Sequence, residues 1–161
     1  TQRYLVWVKR RYCKACHGTI SFLPSFLFCF RWYLLVVIQS VVIAHFEQQR
    51  SWGQLMAECT IAGAPSARTV HRWCRSFAAQ APAWLAAAQA TLAEQDPVTP
   101  LLDPLGPAAG PVDPPRALLA ATLHLLAWAK TRWRELARHG PTDRLRFLWH
   151  WGHGRGLARL V

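Results

Sequence analysis

Two groups of residues in this sequence have types and spacings that suit chemistry. The first is Cys13-Lys14-Ala15-Cys16-His17-Gly18, a pair of cysteines two residues apart in a tight turn. That spacing lets two thiolates meet one soft cation, but a tetrahedral zinc site needs four ligands. The second is the stretch 66–80, where Arg68, Arg72 and Arg75 recur at four- and three-residue steps. On a helix these fall on one side, while Val70, Trp73, Cys74 and Phe77 fall within an opposite arc about 100° wide. Such a helix packs its apolar side on a core and offers three guanidinium groups to an anion.

The elements around this helix support a nucleic-acid reading. Ser51 and Gln54 have the spacing of a capping box, predicting a short helix over 52–59. Gly63-Ala64-Pro65 breaks the chain, Ser66 suits an N-cap, and Pro82 is expected to end the second helix. A capped helix, a Gly-containing turn and a basic amphipathic helix form the layout of a helix-turn-helix. The first turns of a recognition helix reach base edges, so Ser66, Arg68, Thr69 and Arg72 are expected to read sequence. His71 lies among them, and Arg75 is expected to touch phosphate.

Charge points the same way. The formal net charge is +11 and the isoelectric point is near 10.5, which calls for a polyanionic partner. Residues 1–80 carry +8, residues 81–115 carry −4 and residues 116–161 carry +7, so two basic blocks flank an acidic connector. Most of the basic residues are arginine, which favours bidentate contacts to phosphate and guanine. A single protein domain or two small ones fit in 161 residues.

Residues 3–12 alternate aromatic, aliphatic and basic side chains, as a short hairpin or strand pair does. From Ile20 to Ala44 the only charge is Arg31, which approaches the length of a membrane span. Pro24 and Arg31 interrupt the run, and the uninterrupted part, 32–46, has the length of a buried core helix. A membrane-associated protein using residues 20–46 is the alternative function. Residues 97–115 hold seven of the eleven prolines and are expected to be a linker. Apolar residues from Leu118 to Leu136 repeat at helical steps, predicting a helix over 116–138 and a shorter one over 142–151.

The motifs resemble a known family. Arg11-Tyr12-Cys13-Lys14-Ala15-Cys16, a Phe-rich stretch ending in Leu-Pro, an apolar helix and Ser66-Ala67-Arg68-Thr69-Val70-His71-Arg72-Trp73 are similar to bacterial insertion-sequence transposases and their relatives. In these a zinc ribbon precedes a helix-turn-helix. The resemblance covers roughly residues 3–77. It implies that Cys13 and Cys16 are half of a zinc site, whose other CxxC would lie upstream of Thr1, and that the full-length protein binds zinc while residues 1–161 alone are expected to hold none. The sequence starts at Thr1 with its only methionine at position 56, which fits a natural start further upstream. His17 stands where such ribbons commonly have glycine, and the turn around residues 60–65 is longer than usual.

Other candidates are weaker. Cys29, Cys59 and Cys74 sit in apolar patterns, as buried small hydrophobes do. Five cysteines make no disulfide framework, which suits a reducing cytoplasm. His139, His150 and His153 have no carboxylate or cysteine nearby in sequence. Half of the eight acids, Glu94, Asp96, Asp103 and Asp113, fall in the connector, leaving little to hold a two-metal catalytic centre. No small-molecule site is expected.

The sequence therefore predicts a mainly α-helical protein without its own catalytic centre. Residues 1–24 would be a zinc-ribbon-like β-hairpin remnant, 25–81 a three-helix helix-turn-helix domain, 82–115 an Ala/Pro-rich connector and 116–161 a basic C-terminal helical pair. Its partner would be double-stranded DNA, bound in a sequence-specific way.

Overall fold

The computed structural model describes residues 5–22, 24, 33–58, 64–95, 113–134, 144–157 and 160–161. Its first element is an antiparallel hairpin of β1, Lys9–Tyr12, and β2, Thr19–Phe22. Lys9 pairs with Phe22 and Tyr12 with Thr19. The cysteine segment is the turn of this hairpin, so the pairing spans the knuckle and is not contained in residues 3–12. The Cys13 N–H donates to the Gly18 carbonyl at 2.8 Å and closes the turn. Both strands are exposed along their whole length.

Helix α1, Leu35–Phe46, is rich in valine and isoleucine and apolar nearly all round. A helix of that kind is stable only when buried, and Ile38 and Val42 are fully enclosed. Burial of each such side chain contributes about 1.5–3 kcal/mol. At 1.5 Å per residue its 12 residues reach about 18 Å, short of a bilayer core of about 30 Å. No helix among the described residues is long and apolar enough to cross a membrane.

A tight turn leads into α2, Trp52–Glu58. The capping box forms: the Ser51 N–H donates to Gln54 Oε1 at 2.9 Å, and the Gln54 N–H donates to Ser51 Oγ at 3.4 Å.

Helix α3, Ala67–Gln95, is 29 residues long and does not stop at Pro82. Proline removes one backbone hydrogen bond and crowds the carbonyl four residues earlier, at a cost of about 3 kcal/mol. Pro82 is exposed, so its ring displaces no core residue. On both sides of it the buried stripe runs on through Phe77, Ala81, Trp84, Leu85, Ala88 and Leu92. Burial of that stripe outweighs the local defect. Residues 82–95, expected in the connector, are thus helix, and 96–112 lie outside the described residues.

Helix α4, Pro114–Arg132, begins with two prolines in its first turn, where the missing N–H groups need no partner. It buries Leu118, Leu119, Ala121, Leu125, Leu126 and Ala129, and its main neighbour is α3. Its end falls at Arg132, with Trp133 extended, instead of at residue 138. Helix α5, Arg144–His153, packs on α4 and α1. Gly156, at φ 73°, turns the chain so that Leu157 N–H reaches the Gly152 carbonyl at 3.0 Å.

One continuous cluster of buried side chains joins α1, α3, α4, α5, Leu160 and Val161. Helices α4 and α5 thus share this core with α1 and α3. The apolar sides of α4 and α5 close on α3 and α1. Polar contacts also tie α5 to α1. Buried Gln39 accepts the Leu145 N–H through Oε1 at 2.8 Å. Arg144 Nη1 lies 2.9 Å from Glu47 Oε2 and donates to Oε1 at 3.2 Å.

Candidate nucleic-acid interface and cysteine knuckle

The first four turns of α3 divide as the sequence predicts. Val70, Trp73 and Phe77 are fully buried and Cys74 is 2% exposed. Arg68, His71, Arg72 and Arg75 are exposed. Positions three and four apart on a helix are surface neighbours, so these four side chains make one basic strip. Rings on α1 and just before it brace the buried side. Tyr33 meets Trp73 edge-on at 5.2 Å and Phe46 lies 5.6 Å from Phe77, both between ring centroids.

Ser66 and Thr69 are occupied by the start of the helix. The Thr69 N–H donates to Ser66 Oγ at 3.3 Å, and the two hydroxyls lie 3.0 Å apart. They cap the helix and satisfy one of its free N–H groups. Any contact they make to a partner competes with that cap, whereas the arginines form no ion pair among the described residues. Eight residues separate α2 from α3, and 59–63 of these lie outside the described residues.

A residue absent from the sequence expectations lies beside this strip. Trp52, the first residue of α2, stacks on His71 with ring centroids 3.9 Å apart and planes at 26°. Its indole also faces His45 of α1, at 4.0 Å and 33°. The three rings come from three helices, and nothing in their sequence spacing announces the contact.

The knuckle places Cys16 in solvent and Cys13 half-buried, both as free thiols. Hydrogen bonds from the backbone and thiol of Cys16 and from the backbone of Ala15 hold the Cys13 thiol below its usual pKa. A thiolate stabilised in this way suits a soft cation. His17, at φ 52°, takes the left-handed conformation that glycine adopts more easily, and its Nδ1 lies 2.8 Å from the Tyr12 hydroxyl. Among the described residues no three His, Cys, Asp or Glu side chains gather as metal ligands. Two thiols alone fall short of the four ligands that a tetrahedral zinc site needs.

Cys74 is buried, and desolvation pushes its thiol up to about 12. Cys29, Cys59 and His139 lie outside the described residues. His150 is exposed, and His153 lies beside Trp149, 5.6 Å between centroids. Of the connector acids, Glu94 ends on the exposed side of α3 and Asp113 precedes α4. Asp96 and Asp103 lie outside the described residues.

No family model, curated protein or solved structure matches the chain.

Proposed function

We propose that the chain binds double-stranded DNA in a sequence-specific way, with α1, α2 and the first half of α3 acting as a helix-turn-helix. The observation that carries this reading is the strip of Arg68, His71, Arg72 and Arg75, exposed on the side of α3 opposite buried Val70, Trp73 and Phe77. A helix held rigidly from behind fits the major groove and presents guanidinium groups to N7 and O6 of guanine. Arg68 and Arg72, nearest the helix start, take the base edges. Arg75, one turn further on, takes phosphate. The net charge of +11 supports the same partner. Ser66 and Thr69 act first as the cap that fixes the start of the helix.

The role is that of a transposase-related or regulatory protein, placing no chemistry on this chain. Cys13 and Cys16 serve as two ligands of a zinc site wherever a second cysteine pair completes the tetrahedron. Selection from a pool of random duplexes tests the reading. Enrichment of one short guanine-containing sequence supports it. Retention of the pool without enrichment reduces the basic strip to a non-specific polyanion contact.

A further inference from the structure

Trp52 has both faces of its indole occupied. His45 lies on one side at 4.0 Å and His71 on the other at 3.9 Å. The His45 side is itself anchored, because His45 Nδ1 lies 3.3 Å from the Arg50 carbonyl and the Arg50 N–H donates to the Ala44 carbonyl at 2.9 Å. The Ser51–Gln54 capping box fixes the start of α2, where Trp52 sits. His71 follows Arg68 by three residues and precedes Arg75 by four, so its ring lies within the basic strip. It is exposed although Trp52 stacks on it.

We propose that Trp52 is a positioning residue for the DNA-reading face. By stacking, it holds the His71 imidazole among Arg68, Arg72 and Arg75 as a further base-reading donor toward N7 and O6 of guanine. This role rests on the DNA-binding reading above. An imidazolium donates from both nitrogens and is attracted to the face of an indole. Histidine changes charge between about pH 5 and 8. The charged groups on the elements that carry the stack are Arg68, Arg72 and Arg75 on α3, His45 on α1, Glu47 at the C-terminal cap of α1 and Arg50 in the turn. DNA phosphates attract a cationic donor more than a neutral one, so affinity is expected to fall as pH rises over the range in which histidines lose their charge.

The test measures affinity for the selected duplex between about pH 5.5 and 8 for the wild type, His71→Gln, Trp52→Phe and Trp52→Leu. Wild type and Trp52→Phe lose affinity with rising pH, by up to about tenfold per unit, the limit for one proton. His71→Gln and Trp52→Leu give flatter profiles and lose discrimination at one guanine, while affinity for random duplex at about pH 8, where the imidazole is neutral, stays within about twofold. Proton NMR of the DNA-free protein supplies a second readout. The indole ring current displaces the His71 ring protons in wild type and Trp52→Phe keeps an aromatic shift, whereas Trp52→Leu abolishes it. Undisplaced His71 protons in the wild type, or a Trp52→Leu profile as steep as wild type, would overturn the proposal. Duplex binding that is already independent of pH sinks the role of His71 alone. A folded chain that binds no duplex sinks the DNA-binding reading and this role together.

Discussion

Gly152 of α5 lies so close to Trp84 of α3 that a methyl group on its Cα would come within 2.1 Å of Cζ3 and 2.4 Å of Cη2 of the indole. Trp84 is 1% exposed, so its ring has nowhere to move. Gly152→Ala should therefore destabilise the protein by about 1–3 kcal/mol through overpacking, measured by urea denaturation. Trp84→Leu makes room, so adding Gly152→Ala to it should cost clearly less than in the wild type. Additive costs would mean that the two residues do not meet.

Trp73 stands at the centre of the buried side of α3, fully enclosed, and its Nε1 has no hydrogen-bond partner among the described residues. Trp73→Ala should cost roughly 3–5 kcal/mol and unfold much of the protein. Trp73→Phe keeps an aromatic ring and removes the unpaired N–H, so thermal melting should place it much nearer the wild type. A Trp73→Ala protein that stays folded but has lost DNA binding would refute the structural role.

Removal of the chain after residue 112 takes away α4 and α5, which supply Leu118, Leu119, Leu125, Leu145 and Leu148 to the shared core. The shortened protein should lose its cooperative thermal transition. A sharp transition and native-like helicity by circular dichroism would show that α1 to α3 fold alone.

These elements also show what the sequence could and could not say. The two sides of α3 were legible from residue 67 to 80 because a helix sorts side chains by a local period, and the Ser51–Gln54 cap because it involves neighbours. The passage through Pro82 was not, since the penalty of proline is local while the burial that offsets it comes from distant helices. The amphipathic patterns of α4 and α5 fit a separate pair as well as a shared core, and the burial of Leu118, Leu119, Leu125, Leu145 and Leu148 in one cluster with α1 and α3 decides between them. The Trp52 stack depends on three segments meeting, which no spacing encodes. The hairpin pairs across the knuckle because the turn at His17 and Gly18 brings Thr19 opposite Tyr12.

Thiol chemistry offers a check on the two cysteine environments. The thiolate is the reactive form, so a lowered pKa at Cys13 raises reactivity at neutral pH and an elevated one at Cys74 suppresses it. Iodoacetamide at about pH 7.5, well below the ordinary cysteine value of about 8.5, should label Cys13 promptly, and Cys74 only after denaturation. Peptide mass spectrometry reads both sites. Prompt labelling of Cys74 in the folded protein would contradict its burial.

The central claim is that the exposed strip on α3 reads DNA. Its most direct test is fluorescence anisotropy on the selected duplex and on a scrambled one, at one salt concentration, comparing wild type with Arg68→Ala, Arg72→Ala and Arg75→Ala. The first two should each weaken the selected duplex by about 1–3 kcal/mol and bring its affinity closer to that of the scrambled one. Arg75→Ala should weaken both duplexes alike and reduce the salt slope by about 0.9. Circular dichroism should be unchanged in all three, because each side chain is exposed. Folded Arg68→Ala and Arg72→Ala proteins that bind the selected duplex as tightly as wild type would contradict the claim.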